Sequence, residues 1–290
     1  MSKEQTMKDK IRGVLDEVVY PRLYFVRSFT SYRGEDDLEQ LASGVNVELR
    51  LKDETLKPYL ISEKEAFYYM NFPLTTFAFQ IGYLKYNKFQ PGWFINSKMN
   101  TTHYLLMWLL ANEDYTLPDL QSKENKEKRI EQIKNFDVKD IRKMNFLLVA
   151  REKILNYLYA CGIDGEGLEA FAAKMITEHL NDPDKNTLTV TAEEFLRYNN
   201  KPILEKYRNY LNFNVSFKIN RNNWNRPVTM VLKRDFLEKK FSAQRFRLIH
   251  STEEKTGWNM EILSSYDEEP LLPKYLNPNQ EPTICKLIRD

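Results

Sequence analysis

The stretch GVNVELRLKDETLKPYLISEKEAF, residues 44–67, has the spacing that comes closest to a catalytic arrangement. Hydrolysis of a phosphodiester with a divalent metal needs hard oxygen ligands and a positive charge near the attacked phosphate. Residues two apart on a strand project from one face, so Ser62 and Lys64 share a face while Glu63 points away. Asn46 stands on the strand before them. Neutral amide and hydroxyl groups therefore accompany Lys64 where a metal site would need acids.

The surrounding sequence predicts the strands that carry these side chains. Residues 45–51 alternate apolar and polar positions, and residues 59–64 form the partner strand after the turn KDETLKP. TTFAFQIGYL, GWFIN and THYLLMWLLA read as successive strands, with a hairpin at KYNKFQPG. Gln80, on the first of these, is a third candidate site position. The sheet is expected to be built largely between residues 22 and 150.

Helical spacing of apolar residues predicts a helix over residues 4–20, ended by Pro21. The charge-dense segment 121–140 reads as a solvated loop or helix. KMNFLLVA predicts a buried strand, and the helix after it ends at Gly162. Further helices, and the strands NVSFKI and RPVTMVL, are expected in the rest of the chain.

The composition indicates a globular protein with a sizeable core. Of the 290 residues, 42% are hydrophobic and 29% charged, which excludes a disordered chain. The net charge is +2, so nucleic-acid binding would need a local basic patch. Cys161 and Cys285 fit no metal spacing and indicate reduced thiols in the cytoplasm, although a disulfide stays open. The chain begins without an apolar signal segment, and its longest apolar run, YLLMWLLA, is too short to cross a membrane.

The order of these motifs resembles the PD-(D/E)XK restriction-endonuclease-like superfamily, in particular a branch found in phages and mobile elements. The matching segments are GVNV, ISEKEAF, TTFAFQI, GWFI and TTHYLLMW, and later elements match KMNFLLVAREKILNYL and RPVTMVLKRDFL. The resemblance covers residues 16–160 and continues loosely to residue 236. It implies a mixed central sheet flanked by helices, with a metal-dependent nuclease site on the sheet.

The metal-binding acids of that family are replaced in this chain. Asn46 stands at the family's aspartate, Ser62 at the acid before x-lysine and Gln80 at the later glutamate, so only Lys64 matches. Losing two or three carboxylates removes most of the attraction for Mg²⁺, which dehydrates reluctantly. The resemblance therefore implies the fold and argues against the activity.

Acids elsewhere could rescue the site. Glu48, on the face of Asn46, and Glu63 could both serve as replacement ligands, and Glu48 is better placed because Glu63 should face away from Lys64. Glu48 with Lys64 would then form the catalytic pair of an active enzyme. Asp16 and Glu17, on the first helix, could add a carboxylate, although helical surface charge is the commoner explanation.

A second candidate site is FKINRNNWNRPV, residues 217–228. Lys218, Arg221 and Arg226 surround Trp224, which suits contact with a nucleic-acid backbone together with base stacking. A polar hairpin loop with a half-buried tryptophan explains the same pattern and stays open.

The sequence thus predicts an α/β or α+β protein, with a restriction-endonuclease-like core in residues 1–165 and a mixed α+β extension in residues 166–290. The expected function is binding of nucleic acid, DNA rather than RNA, or of a host protein, without efficient cleavage and without a cofactor. One alternative is an active Mg²⁺-dependent endonuclease that uses Glu48 and Lys64. Another is a phage or mobile-element protein that blocks a host system through protein contacts. We expect a cytoplasmic protein with no membrane role.

Overall fold

The computed structural model describes residues 3–120, 122–178, 187–199, 211–220, 227–251 and 257–263. The strands coincide with stretches of alternating or continuous apolar residues, as expected for strands that cover a core on one face or both. In chain order they are β1 (Val26–Ser31), β2 (Val47–Leu51), β3 (Tyr59–Glu65), β4 (Thr76–Lys85), β5 (Lys88–Pro91), β6 (His103–Ala111), β7 (Ile141–Ala150), β8 (Thr187–Thr191), β9 (Val215–Asn220), β10 (Val228–Lys233), β11 (Ser242–His250) and β12 (Trp258–Leu263).

The helices pack apolar residues that recur at helical spacing. Met7, Ile11 and Val14 bury one face of the first helix, which continues as a π-helical turn over Leu15–Val19. The α-helices with both ends described are α1 (Lys3–Val14), α2 (Leu38–Ala42), α3 (Lys123–Asn135), α4 (Arg151–Ala160), α5 (Gly165–Glu178), α6 (Ala192–Tyr198) and α7 (Arg234–Lys240).

The first sheet has seven strands in the order β1-β2-β3-β6-β7-β11-β12. Strands β3 and β6 run parallel, whereas the other neighbours pair antiparallel, so the sheet is mixed. Helices α1 and α3 cover one face, and the second sheet with α4 to α7 shares a core with the other face. The predicted mixed sheet flanked by helices is confirmed, and the fold class is α+β.

The second sheet has five antiparallel strands in the order β5-β4-β10-β9-β8. Phe79 of β4 packs edge-on against Tyr104 of β6, with ring centroids 5.9 Å apart, which joins the two sheets through one core. Helix α5 crosses β4 at Gly82, where a β-carbon would lie 2.7 Å from that of Ala172. Glycine at this position permits the close packing.

Several elements agree with the sequence and one does not. The hairpin predicted at KYNKFQPG joins β4 to β5, and segment 121–140 contains α3, capped by Ser122, whose hydroxyl accepts from the Asn125 amide at 3.2 Å. The strand predicted at GWFIN is wrong. Gly92 instead opens a turn in which the Ile95 and Asn96 amides donate to its carbonyl, at 3.1 and 3.0 Å.

The later part of the chain contributes more to the sheets than the sequence pattern predicts. Five strands of the first sheet lie within residues 22–150, as predicted, but β11 and β12 complete it from residues 242–263. The second sheet, which the pattern does not predict, pairs β4 with β10. Both sheets therefore combine strands from before and after residue 165, and the division at that residue stays a prediction about domains.

None of the helices in the described part of the chain combines the length and the apolar character needed to span a lipid bilayer.

Candidate functional site

Strand β3 divides its side chains between the two faces of the first sheet. Glu63 points toward the N-terminal helical segment and Lys64 points toward the core shared with the second sheet. Ser62 lies on the face of Lys64 by alternation, and it is buried. The predicted separation of Glu63 from Ser62 and Lys64 is what the structure has.

Glu63 is a buried carboxylate whose two oxygens are both engaged. Its side chain is 2% exposed. The Tyr20 hydroxyl donates to Oε1 at 2.6 Å, and Arg33 donates through Nη1 to Oε2 at 2.6 Å and through Nη2 to Oε1 at 2.7 Å. Arg12 Nε lies 3.4 Å from Oε2. This bidentate, charge-assisted pairing satisfies the carboxylate in place.

Arg33 also links Glu63 to Asp16. Its Nη2 donates to Asp16 Oδ1 at 2.8 Å, and Ser31 donates its hydroxyl to the same oxygen at 2.6 Å. Burial alone would lower the pKa of Arg33, but hydrogen bonds to Glu63 and Asp16 raise it above its usual value. Burial and the charge of Glu63 raise the pKa of Tyr20 well above its usual value. Arginine stays charged and tyrosine stays protonated, so the network is a permanent tie between β3 and the N-terminal segment.

Lys64 is half-buried and sits against an aromatic ring. Its ammonium lies 4.4 Å from the ring centroid of Trp93, which provides a cation–π contact. Burial lowers the pKa of Lys64 to about 8. The lysine is still mostly protonated at neutral pH, but it is more easily deprotonated than an exposed lysine.

Asn46 has a structural task that alternation alone does not reveal. It lies one residue before β2, and its side-chain oxygen accepts a hydrogen bond from the Glu63 amide at 2.9 Å. Its own amide donates to the Ile61 carbonyl at 2.8 Å. The side chain thus replaces a ladder bond at the end of the β2–β3 pair, and its oxygen is already used.

Glu48, the proposed substitute acid, is occupied as well. Arg50 Nε donates to its Oε1 at 2.9 Å, and the Tyr32 hydroxyl donates to Oε2 at 3.3 Å. Glu48 pairs with Leu60 across the β2–β3 ladder and so faces the same side as Lys64. Glu48 and Lys64 therefore share a face, as predicted, but the Glu48 carboxylate is paired with Arg50 on its own strand.

The structure does not bring Gln80 to Lys64, Ser62 and Asn46. Strand β4 belongs to the second sheet, and Gln80 alternates with the buried residues Phe79 and Ile81. Its side chain is therefore on the outer face of that sheet, away from the core. The reason is the path of the chain, which leaves the first sheet after β3, so that β4 pairs with β5 and β10.

Gln80 lies instead in one cross-strand row with Lys218. Gln80 pairs with Thr229 of β10, and Thr229 pairs with Lys218 of β9. Lys218 is exposed on the outer face. Arg221, Trp224 and Arg226, predicted to bind nucleic acid with Lys218, lie outside the described residues.

The residues around Lys64 do not fit a magnesium site. The predicted ligand positions Asn46 and Ser62 offer an amide and a hydroxyl oxygen, which carry no charge, and Glu63 and Glu48 are paired with arginines. Across the described residues, no three His, Cys, Asp or Glu side chains come together in a way that could hold a metal ion.

Sequence reasoning missed the partners that define this site. Arg33 lies in a loop, and Trp93 in the turn mistaken for a strand; each reaches β3 across at least 29 residues of chain. Spacing along one strand cannot indicate such contacts. The nearest signal was Asp16, whose position on the first helix had suggested an added carboxylate.

Comparison of the chain with protein-family models, with curated proteins and with solved structures finds no significant match, so the site's geometry has to carry the functional argument.

Proposed function

We propose that this protein binds nucleic acid, DNA rather than RNA, in the cytoplasm and does not cleave it efficiently. The observation that carries the proposal is the separation of Glu63 from Lys64 by the sheet. Lys64 projects with Ser62 on one face, while Glu63 is held on the other by Arg33 and Tyr20. A metal-dependent nuclease needs free carboxylates together with the lysine near one phosphate, and Glu48, the acid on the face of Lys64, is paired with Arg50.

The electrostatics of the site favour binding over hydrolysis. A pair or trio of carboxylates would repel a phosphate backbone unless a metal neutralised them. Asn46 and Ser62 are neutral, and the charge that Lys64 carries at neutral pH attracts phosphates. One cation without a free carboxylate beside it is therefore compatible with a phosphate-binding role and unfavourable for a two-carboxylate metal centre, because Glu48 is paired with Arg50. The resemblance to PD-(D/E)XK proteins stays a prediction that would explain how such a site arose.

The cytoplasmic part of the proposal rests on Cys161. The thiol is buried and free, and burial raises its pKa to about 11, so the reactive thiolate is scarce at neutral pH. Such a cysteine serves as a small core residue and requires no oxidising compartment.

A paired assay of binding and nicking tests the proposal. Supercoiled plasmid is incubated with the protein in Mg²⁺ or Mn²⁺ and examined for nicks, and the same protein is titrated into labelled DNA and RNA at two salt concentrations. We expect a salt-sensitive mobility shift, stronger with DNA, and no nicking. Cleavage that disappears in Glu48→Gln or Lys64→Ala but persists in Lys123→Ala, on the exposed surface of α3, would show an active endonuclease. A protein that shifts neither polymer and retains a host protein in a pull-down would be an interaction factor instead.

A further inference from the structure

We propose that the outer face of the second sheet, together with the β4–β5 hairpin tip, binds single-stranded nucleic acid. The inference rests on the proposed binding of nucleic acid, and it adds a surface outside the Lys64 site together with the form of the polymer. The surface is defined here by the hairpin residues 85–88 and by the outward side chains of β4, β10, β9 and β8.

The five strands of this sheet are free of acids. None of their residues is Asp or Glu, although the whole chain has nearly as many acids as Lys and Arg, 41 against 43. Their outward positions carry mostly threonine, serine, asparagine, glutamine and lysine, with Ala78, Tyr83 and Val231 as the apolar or aromatic members. A face that has lysines and no acids is complementary to a polyanion. Because the overall charge of the chain is only +2, binding of a polyanion requires such a local excess of positive charge.

One cross-strand row shows how the outer face is built. Gln80, Thr229, Lys218 and Thr189 are consecutive partners across β4, β10, β9 and β8. Lys218 and Thr189 are exposed, and Gln80 and Thr229 are half-buried. The row offers one cation between neutral hydrogen-bonding groups, which suits contact with phosphate and sugar oxygens. In the next row Val231 is buried and Ala78 is apolar, so the polar row and the hairpin tip offer the better contacts for a polymer.

The hairpin tip presents an aromatic ring between two lysines. Tyr86 is 87% exposed and is flanked by Lys85 and Lys88, which pair with each other at the end of the β4–β5 ladder. The Lys85 ammonium lies 5.8 Å from the Tyr86 ring centroid. An exposed ring with adjacent cations can stack on a base while the lysines contact the flanking phosphates.

The backbone of Tyr86 adopts a conformation that is unfavourable for a bulky side chain. Tyr86 and Asn87 have φ of 51° and 58°, the left-handed conformation that such two-residue turns require and that Asn-Gly adopts most readily. A bulky residue with positive φ is uncommon in proteins and is destabilising. A tyrosine that is strained and also solvent-exposed contributes little to the fold, so a role in contact with a ligand is the better explanation.

The tip and the polar row lie within reach of one polymer strand. Lys85 is five positions after Gln80 on β4, and two strand spacings separate β4 from β9, so Lys85 and Lys218 are roughly 20 Å apart. A few extended nucleotides cover that distance. Glu194, which accepts a hydrogen bond from the Thr191 hydroxyl at the end of β8, is an acid next to this surface.

Stacking determines which form of nucleic acid fits. A base inside a duplex has both faces covered by its neighbours, so Tyr86 could stack only on an unpaired base. In the described residues this surface consists of strands and a hairpin, whereas a protein that reads a duplex commonly places a helix in the major groove. Single-stranded polymer is therefore the favoured ligand.

Two substitutions at Tyr86 test the stacking contact. Fluorescence anisotropy with a labelled oligothymidylate of about 15 nucleotides gives the affinity, and thermal denaturation gives the stability. We expect Tyr86→Asn to weaken binding about 10-fold while the melting temperature stays the same or rises, because asparagine tolerates positive φ. Tyr86→Phe keeps the ring and is expected to bind within about 2-fold of the wild type. Equal affinity for Tyr86→Asn and wild type would overturn the stacking role.

A salt titration tests the lysines. Replacing Lys85, Lys88 and Lys218 together with alanine should lower the salt dependence, expressed as the slope of log affinity against log salt, by about 2, since each single-strand phosphate contact contributes about 0.7. The matched control replaces three exposed lysines of α3 with alanine, namely Lys123, Lys126 and Lys128. An equal loss in both triple variants would mean non-specific attraction and would refute the surface.

The outcomes separate this inference from the proposed function. If the wild-type protein binds neither single strands nor duplexes, both fail. If it binds single strands and the substitutions at the tip and the polar row change nothing, the function stands and this surface is wrong. Tighter binding to duplex DNA than to oligothymidylate or oligouridylate would refute the single-stranded form, and a comparison of the last two polymers distinguishes DNA from RNA.

Discussion

Replacing Glu63 with glutamine tests whether this acid belongs to the fold or to a catalytic site. Glutamine has nearly the same shape but no charge, and its amide group presents donors to the donors of Arg33. Removal of one partner of a buried ion pair typically costs about 3–5 kcal/mol, because the other charge stays buried and uncompensated. The hydrogen-bond geometry of this pair is favourable, since Glu63 accepts two short hydrogen bonds from Arg33 and a third from Tyr20.

Two features reduce the expected loss. The Arg33 side chain is 22% exposed and also pairs with Asp16, so part of its charge stays compensated after the substitution. We therefore expect Glu63→Gln to lower the free energy of unfolding by about 3 kcal/mol, the lower end of the range for a broken buried pair. With a urea dependence of about 3 kcal/mol per molar, the unfolding midpoint should fall by about 1 M.

Urea denaturation followed by tryptophan fluorescence measures this shift, and Glu54→Gln is the matched control. Glu54 pairs with Arg27 on the surface, with side chains 72% and 61% exposed, so its loss should cost less than about 1 kcal/mol. Nucleic-acid affinity below the unfolding transition should not change in Glu63→Gln. A destabilisation no larger than that of the control would refute the structural role, and unchanged stability with lost binding would place Glu63 in the functional site.

Further predictions concern the groups around β3 and the turn after β5. The pKa of Lys64 is about 8 when folded and about 10.4 when unfolded, so the folded state releases its proton at lower pH and the free energy of unfolding should rise between pH 8 and pH 10. Lys64→Met should abolish that rise and increase the free energy of unfolding at pH 7 by about 1–2 kcal/mol. Urea titrations at each pH measure both effects. Asn46→Ala should lower the free energy of unfolding by about 1–2 kcal/mol, as measured by thermal denaturation, because the backbone amide of Glu63 loses its acceptor. Asn46→Asp keeps an acceptor and should lower it less. Arg151 donates to three backbone carbonyls of residues 94–99, at 3.0 to 3.1 Å. Arg151→Lys should therefore lower the free energy of unfolding by about 2 kcal/mol and speed amide hydrogen exchange in that turn. Unchanged exchange would contradict the idea that Arg151 holds the turn in place.

In the candidate site, the spacing of residues along a strand predicted which side chains share a face but not which other segments contact them. Alternation along YLISEK correctly separates Glu63 from Ser62 and Lys64, because successive side chains on a strand must face opposite sides. It could not show that Asn46 would bend back to bond the Glu63 amide, nor that Arg33 would fold over Glu63. Those contacts form between residues 17 and 30 positions apart, and loop conformation decides them.

What the sequence determined by itself was local: which side chains share a face, and most of the stretches that become helix or strand, with GWFIN as an exception. Periodicity carries this information because it reflects the geometry of single elements. The mixed sheet followed from the resemblance and not from these patterns. Only the tertiary structure decided that β4 pairs with β10 in a second sheet, which moves Gln80 away from Lys64 and into one row with Lys218. The pairing of strands distant in the chain depends on packing the whole core, and no short segment specifies it.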